Sequence, residues 1–250
     1  MKTRIDHEPA FLLSSTAWRE SSLKIDIFSQ NYGRMSLIAR SARRRQSDLR
    51  GVLVPFVPLS LSWYGSNELL TLHKAEWIGG WRQPMGKNLL SAMYVNELVL
   101  KFTALSDPHP EIYDLLARTM KTLSANDSIQ AALRLFEWQL LTACGFAPDL
   151  KMDNQGKQID AQGLYAIRPE CAIEKVNTPF DDVLCVSGET LLALANETFT
   201  HKRTLDEALQ INRLLISAKL AEIHQHNPQI YSRNILTQLR AMKPQPFQVA

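Results

Sequence analysis

Near residue 82 the apolar residues stop recurring at every second position and begin recurring at every third or fourth, which divides the chain into two kinds of structure. Before that point Leu23, Ile25 and Ile27 alternate with Lys24 and Asp26. Met35, Leu37 and Ala39 alternate across Ser36, and Leu59, Leu61 and Trp63 across Ser60 and Ser62. A period of two turns one set of side chains into a core and the other toward solvent. Asn31-Tyr32-Gly33 lies between two such runs and supplies the positive φ that a tight hairpin requires, and Gly65-Ser66-Asn67 marks a second turn. Pro55 and Pro58 cannot donate ladder hydrogen bonds and predict a bulge, bend or sheet edge. The reading is about five short strands, and a sheet that small hides its edges by curling into a barrel. A five-stranded Greek-key barrel and an SH3-like barrel both fit the pattern.

After Trp81-Arg82-Gln83-Pro84 the helical period takes over. Leu90, Met93, Tyr94, Glu97, Leu98, Lys101 and Phe102 form one stripe, and Ile112, Leu115, Leu116, Thr119, Met120 and Leu123 a second. A third helix is expected from a cap near Asn126 or Asp127 through Phe136 and Leu140, stopped by Gly145. Residues 146–186 read as a loop-rich insertion with one hairpin at Gly163–Val176. Helices are expected again at Ser187–Asn196, from a Thr204/Glu207 capping box to about His226, and at Gln229–Ala241, before a mobile Lys243–Ala250 tail. The expected fold is α+β, with a small five-stranded barrel at 1–82 and a helical domain at 83–250.

Charge follows the same division. Residues 1–82 hold 12 Lys/Arg against 7 Asp/Glu, and residues 83–250 hold 16 against 18. A basic front and a slightly acidic remainder suggest modules with different partners. Three cysteines, Cys144, Cys171 and Cys185, make neither a disulfide framework nor a C-x2-C zinc pair. With no apolar run of membrane-spanning length and no leader-like start, the expectation is a soluble cytoplasmic protein, nucleoid-associated, without metal or cofactor.

Six arginines lie between residues 34 and 50 (Arg34, Arg40, Arg43, Arg44, Arg45 and Arg50), against the single acid Asp48. No large apolar residue interrupts Ala42–Asp48, so the stretch reads as an exposed loop between barrel strands. Guanidinium groups concentrated on a loop suit a phosphate backbone, since each forks two donors to phosphate oxygens and binding releases condensed counterions. Tyr32, Phe56, Trp63 and Tyr64 offer aromatic faces nearby, although the alternation assigns Trp63 to the core.

No catalytic constellation emerges. Gly80-x5-Gly86-Lys87 is one residue too long for a phosphate loop, and Asn88 replaces the magnesium-binding hydroxyl. His224 and His226 are two apart and point to different faces of a helix. On the third helix Arg134 sits among large apolar residues with Trp138 one turn on. That pair would suit the carboxylate and apolar side chains of a short C-terminal peptide.

Several segments in order resemble one family. Ala10-Phe11-Leu12-Leu13, then Trp18-Arg19-Glu20-Ser21-Ser22-Leu23 leading to Asp26-Ile27-Phe28-Ser29, is similar to the first strands of RecO proteins. Gly33-Arg34, Ala39-Arg40-Ser41-Ala42-Arg43 and Gly51-Val52-Leu53-Val54-Pro55-Phe56 continue the series. So do Tyr94-Val95-Asn96-Glu97-Leu98, Leu133-Arg134-Leu135-Phe136-Glu137 and Cys144-Gly145-Phe146. The resemblance is clear over about 10–150 and thins afterwards.

The resemblance implies an OB-fold barrel joined to a helical body. It also implies binding of single- and double-stranded DNA, ATP-independent annealing, and cooperation with RecR. Further implications are recognition of the acidic C-terminal tail of single-stranded DNA-binding protein (SSB) and promotion of RecA loading. It places DNA on the basic barrel loop and the SSB tail on the helical body at Arg134. Many relatives carry four zinc-binding cysteines after the third helix, whereas this chain has Cys171 and Cys185 there and resembles a zinc-free branch. The sequence therefore reads as a non-enzymatic annealing mediator, against the alternative of a protein-binding scaffold in which the SSB tail is the main ligand.

Overall fold

In the computed structural model, residues 3–66, 70–125 and 128–241 are described. The first five strands are β1 (Thr3–Trp18), β2 (Ser22–Ser29), β3 (Gly33–Ala39), β4 (Pro58–Gly65) and β5 (Leu70–Trp77). They close into a barrel in the order β1-β2-β3-β5-β4, every pair antiparallel except β3 with β5. The long β1 serves both ends of the ring, pairing with β4 through its first half and with β2 through its second. Register shifts between Ile5 and Glu8 and between Leu12 and Ser14 give it the bend that closure demands. This is the OB topology, and it decides between the two barrels the sequence allows.

The alternation is realised in the barrel core. Ala10, Leu12, Ile25, Ile27, Leu37, Leu59, Leu61, Trp63 and Leu72 all point inward and are buried. Asn31 to Gly33 makes the β2–β3 turn, held by Glu8, whose carboxylate accepts from Asn31 N at 2.7 Å and Nδ2 at 3.0 Å. Pro58 is the first residue of β4, where a missing N–H costs least. The turn expected at Gly65-Ser66-Asn67 runs into residues outside those described.

Phe11, Leu13 and Phe28 face outward from the barrel yet are buried, because helices cover that side. These are α1 (Lys87–Phe102), α2 (Pro110–Ala125) and α3 (Ile129–Ala143), followed by a small sheet and then α4 (Gly188–Ala195), α5 (Lys202–Ile223) and α6 (Tyr231–Ala241). The unbroken apolar run Ala10–Leu13 is thus a strand buried on both faces. Polar contacts fix the docking. Asn96 donates Nδ2 to the carbonyls of Leu12 (2.9 Å) and Leu13 (3.3 Å), and Ser106 N donates to Arg34 O at 2.8 Å.

Residues 146–186 hold more order than expected. The anticipated hairpin is present as β6 (Leu164–Ile167) and β7 (Glu174–Val176), and β8 (Leu184–Ser187) joins the other edge of β6. The Thr204/Glu207 capping box does not form, because α5 already starts at Lys202 and Thr204 donates its hydroxyl to His201 O. Glu207 instead accepts from Ser187 N and from the Ser187 and Thr190 hydroxyls, bracing the first turn of α4, where free N–H groups favour an anion. The cap expected at Asn126 or Asp127 and the Lys243–Ala250 tail lie outside the described residues. No helix among the described residues is long and apolar enough to cross a membrane.

Candidate nucleic-acid interface

The segment between β3 and β4, residues 40–57, is a chain of turns pinned to the barrel from below. Ala42 is buried in the barrel core, and Leu49, Val52, Leu53 and Val54 pack against it. Arg43 N donates to Ser21 O at 2.9 Å, and successive turn bonds run from Arg44 to Ser41, Ser47 to Arg44 and Arg50 to Ser47. With the small and aliphatic residues committed inward, Arg40, Arg43, Arg44, Arg45 and Arg50 are left exposed. Among the described residues no carboxylate forms an ion pair with any of these five. Their donors are therefore free for an external anion. Arg43 alone has an internal contact, reaching the carbonyls of Arg19 and Glu20 with Nη1 at 3.4 and 3.3 Å.

That contact joins the β1–β2 turn to the loop and brings in residues the sequence reading passed over. Trp18 is 38% exposed, and Arg19 and Lys24 are exposed beside it. The signal was present in the hairpin register: Leu23 pairs with Ala39, which places this turn next to Arg40.

Arg34 departs from the cluster. It lies on β3 rather than in the loop, is half-buried, and donates Nε to Thr103 O at 2.9 Å. Burial lowers its pKa, with Asp26 opposing that shift. This side chain joins barrel and helices and stands on β3, apart from the five arginines of the loop.

The four aromatics also separate. Phe56 and Trp63 are core residues at 6% and 2% exposure. Tyr32 is exposed but stands at the β2–β3 turn, the far end of β3 from Arg40, its ring edge-on to Trp63. Tyr64 pairs across Thr71 of β5 with the Ile38 row, which puts an exposed ring at the loop's end of the barrel.

Arg134 is not the unencumbered cation the sequence suggested. It is 8% exposed and forks Nε and Nη2 onto Glu137 at 2.8 and 2.9 Å. Glu137 also accepts from Tyr94 OH (2.7 Å) and Asn212 Nδ2 (2.9 Å). Arg134 Nη1 has no hydrogen bond to a described residue. Trp138 is buried at 7%, with one edge in a cleft shared with Leu115, Arg118 and Leu194. Cys171 is exposed and Cys185 partly buried on β8. Among the described residues no three His, Cys, Asp or Glu side chains converge on a metal-sized site.

Barrel, displayed arginine loop and docked helical body define an OB-fold protein with a helical body and a cationic loop. Two family models match it: the recombination protein O N-terminal domain over residues 1–81 and the C-terminal domain over 85–227. A protein of Neisseria meningitidis serogroup B named DNA repair protein RecO is 50% identical over 242 residues, 95% of this chain and 90% of its own. Proteins of the same name from Chromobacterium violaceum and Thiobacillus denitrificans are 40% and 36% identical. The former alignment covers 88% of this chain and 91% of the relative, the latter 96% and 95%. The chain belongs to the RecO family.

Proposed function

We propose that the protein is a cytoplasmic DNA-repair and recombination mediator. It binds single- and double-stranded DNA on the barrel loop and anneals complementary strands without ATP. The observation that carries this reading is the set of five exposed arginines with no carboxylate partner among the described residues. Two strands approaching each other are opposed by their phosphates. Guanidinium groups placed between them reduce that repulsion and release counterions, so no energy source is required. The shape of the loop supports the role: its carbon skeleton is held by Ala42, Leu49 and Val52, so only charge is left to move.

The helical body is the proposed receiver of the acidic SSB tail, which would retain the protein on coated DNA. RecR is the proposed partner in promoting RecA loading. A tail carboxylate would meet Nη1 of Arg134, the part of that guanidinium not committed to Glu137. Arg134→Lys keeps the charge but loses the fork. It is expected to weaken capture of an SSB-tail peptide while DNA affinity is unchanged, and wild-type capture would remove Arg134 from the site.

The loop is tested with Arg43→Ala combined with Arg44→Ala. Both side chains are exposed, and the structural contacts removed are the long bonds of Arg43 Nη1 to the Arg19 and Glu20 carbonyls, so the fold is expected to persist. Losing two phosphate contacts should make the dependence of log affinity on log salt shallower by about 1.8 for duplex DNA. Annealing of complementary oligonucleotides should slow in parallel. A double variant with wild-type affinity and salt slope would overturn the assignment.

A further inference from the structure

A cleft of 620 Å³ opens between barrel and helical body, walled by Leu53 and Pro55 of the arginine loop, Met93 and Asn96 of α1, and Tyr231 and Ile235 of α6. We propose that this cleft takes one unstacked base of a single strand whose phosphates lie on the arginine loop. The inference rests on the phosphate-binding role proposed above and adds to it a means of preferring unpaired DNA.

Continuity is the first argument. Leu53 and Pro55 follow Arg50 within the same loop, so the segment that shows guanidinium groups to solvent turns down to become the cleft wall. A strand held along the loop has its bases within reach of the opening. The hydrogen-bonding inventory is the second. Asn96 is 3% exposed, and its Nδ2 is committed to the carbonyls of Leu12 and Leu13, which fixes the amide and leaves Oδ1 buried with no donor. Arg34, also on the cleft, uses Nε on Thr103 O and has no hydrogen bond at either Nη to a described residue. The same cleft thus holds an acceptor in need of an N–H and donors in need of an oxygen or ring nitrogen. A nucleobase edge presents both kinds of group side by side.

The walls suit a flat ring. Met93 and Ile235 are both more than a third exposed, and Tyr231 is 53% exposed, with Lys101 Nζ 5.8 Å from its ring centroid. Asn96 lines the cleft but its Oδ1 is buried, so a base reaches it only as the wall yields, and the unbranched Met93 is the side chain best able to give way. Among the described residues the one carboxylate on the cleft, Glu97, is outnumbered there by the cations Arg34 and Lys101. Both its oxygens are occupied by Tyr231 N, Ser232 N and the Ser232 hydroxyl at 2.7–2.9 Å, at the start of α6.

The test measures binding of the full chain to three equal-length oligonucleotides: a mixed-sequence single strand, an all-abasic strand and a duplex. The wild type is expected to favour the mixed-sequence strand over the abasic one by about tenfold, the contribution of one stacked base. Met93→Trp, at an exposed position, fills the cleft and should erase that preference while abasic and duplex affinities hold. Ile235→Trp repeats the blockade from α6. Equal wild-type affinity for abasic and mixed strands would overturn the proposal, as would a preference that survives both tryptophans. If the tryptophans abolish capture of an acidic, apolar peptide and leave the DNA preference intact, the cleft is a peptide site and the base assignment falls. The abasic strand separates the two readings. Binding of that strand reports the loop alone, so an abasic affinity indifferent to Arg43→Ala with Arg44→Ala would sink the loop and not the cleft.

Discussion

Glu137→Ala is expected to lower the stability of the protein by about 3–5 kcal/mol, read as a shift of the urea midpoint followed by circular dichroism. Glu137 is 1% exposed and sits at the junction of three helices. It accepts from Arg134 on its own helix, Tyr94 on α1 and Asn212 on α5, while Arg233 of α6 donates Nη2 to the Tyr94 hydroxyl at 2.6 Å. Burial, with Glu137 adding to it, raises the Tyr94 pKa well above the ordinary phenol value. The hydroxyl therefore keeps its proton and donates it to the carboxylate. Removing the carboxylate leaves a buried guanidinium without its counter-charge and two donors without an acceptor, which costs more than the pair itself contributes. Glu137→Gln keeps the volume and an acceptor and should cost less. A midpoint for Glu137→Ala close to wild type would mean that this network does not hold the helices together.

The same network shows where the sequence was informative and where it was not. Arg134 and Glu137 are three apart on one helix face, a spacing at which opposite charges meet, so the pair itself was legible. Its burial was not. The partners that enclose it come from Tyr94, 43 residues before Glu137, and Asn212, 78 residues after Arg134. A cation beside an apolar stripe looks the same in sequence whether a ligand or the protein's own acid meets it. The docking contact of Arg34 was hidden for a similar reason: its carbonyl partner, Thr103, is 69 residues away. The loop arginines were legible because nothing distant is required of them. A run of cations with one acid and no large apolar residue stays at the surface in most folds.

Periodicity recovered the barrel because strands of seven and eight residues repeat the alternation several times. It could not find β8, which is four residues long and defined only by pairing with β6. Closure was expected from so small a sheet, but which of the two barrels forms was silent in the sequence, since it depends on the parallel contact of Leu37 and Ile38 with Leu70 and Thr71. The alternation assigned Trp63 to the core, where it lies, with Tyr64 outside; Phe56 stands in the irregular stretch before β4, so no alternation revealed its burial.

Gly33→Ala should separate the barrel from the helical body. Gly33 has φ of +64°, and a Cβ added there would lie 1.8 Å from the carbonyl oxygen of Asp107 and 2.4 Å from its carbon. Both are backbone atoms, so no side-chain rotation relieves the overlap. Either the β2–β3 turn or the loop before α2 has to move. Movement breaks the bonds that meet here, Ser106 N to Arg34 O at 2.8 Å and Arg34 Nε to Thr103 O at 2.9 Å. The left-handed backbone alone costs roughly 1–2 kcal/mol for an alanine. With the two docking bonds, the expected loss is roughly 3 kcal/mol or more. Gly51→Ala is the control, since that glycine also has positive φ but nothing lies within 4 Å of its added Cβ. It should show backbone strain without loss of docking. Protease sensitivity between barrel and helices should rise in Gly33→Ala and not in Gly51→Ala, and equal behaviour of the two would refute the close approach at Asp107. Because Gly33 and Arg40 lie at opposite ends of β3, the folded fraction of Gly33→Ala should keep the salt-dependent DNA affinity of the arginine loop. It should lose the preference for unpaired strands, which requires both walls of the cleft.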